Sequence, residues 1–83
     1  EYYTYILQST TSGSLYIGST NNLEDRLYRH NSDQNTYTKS KGPWRLLHNV
    51  TFGTRGEAVQ LEIELKSMKS KIRVLRWIAS QPG

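Results

Sequence analysis

Tyr2-Tyr3-Thr4-Tyr5-Ile6-Leu7 and, after a polar interval, Leu15-Tyr16-Ile17-Gly18-Ser19 are the two stretches whose reading decides the fold. Both are short and rich in aromatic and β-branched residues, which suit a pleated, half-buried strand. The interval from Ser9 to Ser14 holds only Ser, Thr and Gly, so the two runs are predicted to pair antiparallel through a short turn near Ser12-Gly13. An even number of loop residues puts Tyr5 and Tyr16 on the same side of this hairpin, and a register centred between Thr10 and Thr11 makes them direct cross-strand neighbours. Such a pair is explained structurally by aromatic rings filling core, and chemically by two phenols facing one site. Gly18 is expected to leave open space beside them, as close approach of a ligand would need.

Beyond the hairpin, Thr20-Asn21-Asn22 offers capping side chains, and Asn21 with Glu24 three residues on forms a weak capping box. A helix is predicted from Asn22 to about Asn31, turning Leu23 and Leu27 to the core. Asp33 to Gly42 is polar, ends in Gly42-Pro43, and reads as a surface loop. Leu46 to Phe52 reads as a third strand, with Gly53 and Gly56 bracketing the turn that leaves it. From Glu57, the positions of Ala58, Leu61, Leu65, Met68 and Ile72 draw one apolar stripe down a long amphipathic helix. Arg73 to Ser80 continues it past a bend or forms a third short helix. The expected architecture is α+β, a three-stranded antiparallel sheet flanked by helices in the order β-β-α-β-α-α, a single domain over residues 1–83.

Composition excludes several classes of function. With 35% hydrophobic and 22% charged residues, the chain is not a charge-rich disordered one. The absence of cysteine rules out a disulfide-linked partner, a thiolate zinc site and a cysteine nucleophile, and with no demand for an oxidising compartment an intracellular, cytoplasmic address is expected. There is no apolar run of about 18 residues to span a membrane, and no basic-then-apolar signal pattern at the start. The net charge is +4 and uneven: up to Thr38 two arginines face four acids, whereas from Lys39 onwards nine basic residues face three acids, for −2 and +6 respectively. Such a field attracts polyanions, nucleic acid before anionic membrane. Lys39, Lys41, Lys66, Lys69, Lys71 and Arg73 are the residues expected to contact DNA phosphates.

Three further residues carry candidate chemistry. Arg26 and His30 are four apart on the first helix, so they share a face beside the Leu23 and Leu27 stripe. Arginine binds phosphate through its planar fork and histidine relays protons near neutral pH, although an exposed arginine and a satisfied histidine would give the same pattern. Glu62 falls at the edge of the apolar stripe, where a carboxylate needs a partner. Lys66, one turn on, would make a surface ion pair; a hard divalent cation held by one carboxylate, water and phosphate oxygens is the alternative. His48 on the third strand has no chemical companion and reads as structural. A glycine-rich phosphate loop, a Ser-His-Asp order, paired carboxylates and a histidine metal cluster are all absent from the sequence.

Together these pieces resemble a family. Tyr3-Thr4-Tyr5-Ile6-Leu7, then Tyr16-Ile17-Gly18-Ser19-Thr20, then Asn22-Leu23-Glu24-Asp25-Arg26-Leu27 and His30-Asn31 resemble the opening of the GIY-YIG nuclease domain, and Glu57-Ala58 with Glu62 resembles its metal-binding region. The likeness spans Tyr2 to about Lys71 and is greatest to the small stand-alone members. It implies an endonuclease that hydrolyses DNA phosphodiester bonds with one Mg²⁺ or Mn²⁺ ion. Tyr5 and Tyr16 would be the tyrosines of the first and second motifs, Arg26 and His30 the helix pair, and Glu62 the metal ligand. Either tyrosine could be the base that activates the attacking water. Tyr3 stands where the family's name-giving glycine would be, and no asparagine follows the long helix as it does in many members. Tyr37-Thr38 resembles a segment that neighbours the site. The other readings are a non-enzymatic nucleic-acid binder, whose tyrosine-bearing sheet stacks bases, and a structural or protein-interaction domain with a decayed site.

Overall fold

β1 (Tyr2–Ser9) is the middle strand of the sheet, with β2 (Leu15–Thr20) on one side and β3 (Trp44–Phe52) on the other, both antiparallel to it. The computed structural model describes residues 1–32 and 42–82. α1 (Leu23–Asn31), α2 (Arg55–Ser67) and α3 (Lys71–Ala79) complete the order β-β-α-β-α-α, as the sequence predicts. The central strand carries the uninterrupted apolar run, and helices cover both of its faces. On one face Tyr5, Leu7 and Trp44 pack with Leu23 and Leu27 of α1; on the other Ile6 packs with Leu65 of α2 and Val74 and Trp77 of α3. Period-two alternation along β1 therefore feeds two separate hydrophobic clusters, one on each side of the sheet.

The hairpin forms where expected, with Gly13 at φ +77 in its turn, a conformation glycine adopts without the Cβ clash. Its register is two residues from the predicted one. Tyr5 pairs with Gly18 and Leu7 with Tyr16, so the tyrosines are diagonal neighbours on the same face and not directly opposed. A shift of two residues preserves the face, because side chains alternate with a period of two. β3 starts at Trp44, two residues before the predicted Leu46. The Asn31 side chain holds that start: Oδ1 accepts from the Trp44 N–H at 2.6 Å and Nδ2 donates to the Trp44 carbonyl at 3.0 Å. A bulge between Ile6 and Leu7 in the β1–β3 pairing turns Leu47 towards the same helices that His48 faces.

Each helix start carries a side-chain cap. α1 is capped by Asn22, whose side chain accepts from the Asp25 N–H at 3.0 Å, one residue along from the predicted Asn21 and Glu24. α2 begins at a Thr54-x-x-Glu57 box: the threonine oxygen accepts from the Glu57 N–H and its hydroxyl donates to the Glu57 carboxylate. The single long stripe from Ala58 to Ile72 is corrected by the structure. The chain turns between Ser67 and Lys71, with Lys69 at φ 51, and Ser70 caps a new helix by accepting from the Arg73 N–H. Ile72 is consequently 63% exposed, and Val74 takes the inward position. The periodicity runs through the break because residues on two successive helices happen to keep a three-and-four spacing. Thr4 on β1 donates to the Ala58 carbonyl at 2.6 Å, tying α2 to the middle strand.

Candidate active site

β2 is one of the two edge strands of the sheet, and the candidate residues gather around it from both faces. From β1 and α1, Tyr5 and His30 are each only 1% exposed, and the Tyr5 hydroxyl lies 3.1 Å from His30 Nε2. Tyr16 completes a ring cluster. Its centroid is 4.5 Å from that of His30 and 6.3 Å from that of Tyr5, on which it stacks at 25°. α1 positions His30 because Leu23 and Leu27 dock against Tyr5, Leu7 and Trp44, and one further turn brings the imidazole over the same layer.

Gly18 permits this arrangement, though not by leaving open space. A Cβ at Gly18 would sit 2.6 Å from the Tyr5 hydroxyl and 2.7 Å from Cζ of that ring, so the phenol itself occupies the room that the missing side chain provides. The expectation of an open spot is corrected accordingly: glycine is needed for the close approach of tyrosine, which in turn reaches His30.

Burial, chiefly, pushes the Tyr5 phenol well above the ordinary tyrosine range; Tyr16 and the Glu62 charge add to this, while Arg26 opposes it by its charge and a hydrogen bond. Burial also holds the His30 imidazole below its ordinary value, with the Arg26 charge acting in the same direction. Near neutrality the pair is thus an uncharged phenol against an uncharged imidazole, and Arg26 is the positive charge beside them.

On the other face of the same edge, Ser19 donates to Glu62 Oε1 at 2.7 Å, and Lys66 Nζ lies 2.6 Å from Glu62 Oε2. The Glu62 side chain is 19% exposed, in keeping with its predicted place at the border of the apolar stripe. Ser19 follows Gly18 and points to the opposite face by strand alternation, so β2 presents a glycine to the tyrosine side and a hydroxyl to the carboxylate side. Sequence reasoning missed the role of Ser19; the signal was its parity with Leu15 and Ile17, which assigns it to the α2 face. Among the described residues no three of His, Cys, Asp and Glu come together. A cation at this edge would therefore rest on Glu62, water and substrate oxygens, a donor set that Mg²⁺ accepts, and displacing the half-exposed Lys66 would cost little.

Of the predicted phosphate contacts, Lys66, Lys69 and Lys71 line a groove of about 520 Å³ beside Leu15, Tyr16 and Ile17 of β2. The Lys71 ammonium reaches the hairpin turn, 3.0 Å from where a Cβ on Gly13 would stand. Arg73 is exposed in the first turn of α3. Lys39, Lys41 and the Tyr37-Thr38 segment lie outside the described residues. His48 packs edge-on against Trp77 at 5.6 Å, and its buried Nε2 has no hydrogen-bond partner among the described residues. No helix among the described residues is long and apolar enough to cross a membrane.

Comparison with known proteins identifies the family. A UPF0213 protein of Bacillus licheniformis is 41% identical over 71 residues, covering 84% of this chain and 72% of the relative. One from Natronomonas pharaonis is 33% identical, covering 100% of this chain and 96% of the relative. The solution NMR structure of a UPF0213 protein from Bacillus halodurans superposes with a TM-score of 0.62 at 31% identity, covering 99% of this chain and 86% of that one. The GIY-YIG catalytic domain matches residues 1–74, and with the tyrosines, the helix pair and the glutamate gathered at one sheet edge, the chain belongs to the GIY-YIG family.

Proposed function

We propose that this chain is a divalent-metal-dependent endonuclease that hydrolyses DNA phosphodiester bonds at the β2 edge. The observation that carries this reading is the meeting of Tyr5, Tyr16, His30 and Arg26 on one side of Gly18 with a carboxylate anchored by Ser19 on the other. Membership of a nuclease family supports the reaction class.

Glu62 would hold the metal ion, Mg²⁺ or Mn²⁺, which when bound supplies positive charge to the phosphate and the leaving oxygen. Arg26 presents its guanidinium to a non-bridging phosphate oxygen, where negative charge grows in the transition state. Tyr16, half-buried and tilted against the imidazole at 4.5 Å between centroids, orients the attacking water and takes its proton as it passes its own onward. His30 is the acceptor on that path, since its lowered pKa leaves the imidazole unprotonated near neutrality. Tyr5 is the positioning partner: a phenol held protonated by burial is a poor base, but it fixes the imidazole through its hydrogen bond. The test is metal-dependent nicking of duplex, flap and branched DNA by the chain and by Tyr16→Phe.

The base-stacking binder is disfavoured by the covering of both sheet faces with helices and by the burial of Tyr5, since a stacking platform needs its aromatics exposed.

A further inference from the structure

A second polar cavity, of about 290 Å³, opens where the end of β2, the approach to α1 and the first turn of α2 converge. Its walls include Ser19, Thr20, Asn21, Arg26 and Arg55, and no carboxylate lines it among the described residues. Two guanidinium groups facing one small cavity repel each other unless an anion sits between them, and arginine forks match the oxygens of phosphate in geometry as well as charge. The cavity also adjoins the chemistry. Arg26 acts on the Tyr5 phenol, and Ser19 is the residue that anchors Glu62. The neighbouring acids are engaged elsewhere: Asp25 pairs with Arg29 at 2.9 Å, and Glu57 accepts from Thr54 in the α2 cap. Arg55 has no ion pair or side-chain hydrogen bond among the described residues and stands exposed at the first position of α2.

We propose that Arg55 forms, beside Arg26, a phosphate-binding subsite that takes the backbone phosphate next to the scissile one, so that Arg26 holds the phosphate to be cut and Arg55 its neighbour on the same strand. This rests on the endonuclease reading of the β2 edge. Arg55 then determines placement of the strand and not the chemical step, because its contact is made equally in the ground state and the transition state. Asn21, exposed at the cavity wall, supplies a neutral donor to the same phosphate, and Glu62 is kept apart from it by Ser19.

The experiment measures binding without cleavage and cleavage separately. Affinities of the chain and of its Arg55→Gln and Arg55→Lys variants are measured in Ca²⁺ on an oligonucleotide set in which each phosphate in turn is replaced by a neutral methylphosphonate. Arg55→Gln is expected to bind unmodified DNA about 10-fold more weakly. Its log-log salt slope is expected to fall by about 0.7 to 0.9. One methylphosphonate position should weaken the wild type but have no further effect on Arg55→Gln, with Arg55→Lys intermediate, and cleavage should show a raised KM with kcat nearly unchanged. Unchanged affinity and slope in Arg55→Gln, or a variant still sensitive to every methylphosphonate the wild type senses, would overturn the subsite. So would an effect confined to oligonucleotides with a terminal phosphate, which would place a strand end there instead. Wild-type binding without metal-dependent nicking would sink the endonuclease reading alone, whereas nicking with Arg55→Gln indistinguishable from wild type would sink the subsite alone.

Discussion

The Tyr5 hydroxyl lies 3.1 Å from His30 Nε2, and both residues are only 1% exposed. Burial raises the phenol and lowers the imidazole, and both stay uncharged across the neutral range.

The imidazole gives the first prediction. A histidine whose folded pKa lies below its unfolded value, about 6.5, binds fewer protons in the folded state. It leaves stability intact above that value and erodes it as pH falls through and below it. NMR titration of His30 should therefore show a midpoint below about 6.5, and His30→Gln should flatten the acid limb of the stability profile measured by urea unfolding. A midpoint at or above the ordinary value would contradict the burial argument.

The tyrosines should separate. Tyr16→Phe keeps the ring and removes the hydroxyl proposed to face water, so cleavage should fall by about 100- to 10,000-fold with little change in stability. Tyr5→Phe removes a buried hydrogen bond to His30, which should cost about 0.5 to 1.5 kcal/mol in unfolding free energy as well as activity. If Tyr16→Phe cleaves at the wild-type rate while Tyr5→Phe does not, the assignments are reversed.

Gly18→Ala offers a check on geometry that needs no substrate. The new methyl would meet the Tyr5 hydroxyl and ring at 2.6 and 2.7 Å, so the ring must move away from His30. Overpacking of this kind typically costs about 1 to 3 kcal/mol. The His30 titration should shift in the same variant; a methyl tolerated with neither effect would show that Tyr5 does not lie over Gly18.

Much of this is legible in the sequence, and the misses have physical causes. Element order and the shared face of Tyr5 and Tyr16 follow from periodicity and parity, which are local properties. The hairpin register does not, because a loop of only Ser, Thr and Gly fits several even turn lengths. The break before Ser70 is hidden by an apolar spacing that continues across it, although Ser70 itself is a good cap. Glu62 is marked by its position at the stripe's edge, but its partner Ser19 comes from a strand 43 residues away in sequence. The Arg26 and Arg55 cavity unites two helices and a strand end, and only the tertiary fold brings those together.

The basic groove predicts a salt dependence. Lys69 and Lys71 flank the β2 edge, so Lys69→Ala with Lys71→Ala should weaken DNA binding. The log-log salt slope should fall by about 0.9 for each phosphate that the double variant no longer neutralises. A full slope would move the footprint away from the α2–α3 turn.

The most direct test of the central claim is metal-dependent nicking by Glu62→Gln, measured beside DNA affinity in the same preparations. The amide keeps the shape, still accepts from Ser19 and removes the charge that would hold the cation. Metal stabilisation of transition-state charge is worth several kcal/mol, and each ~1.4 kcal/mol is tenfold in rate. Cleavage should therefore fall by about 1,000-fold or more while binding is retained or tightens, because a negative charge near the phosphates is gone. Equal nicking by wild type and Glu62→Gln would contradict the account, leaving Glu62 as no more than the surface partner of Lys66.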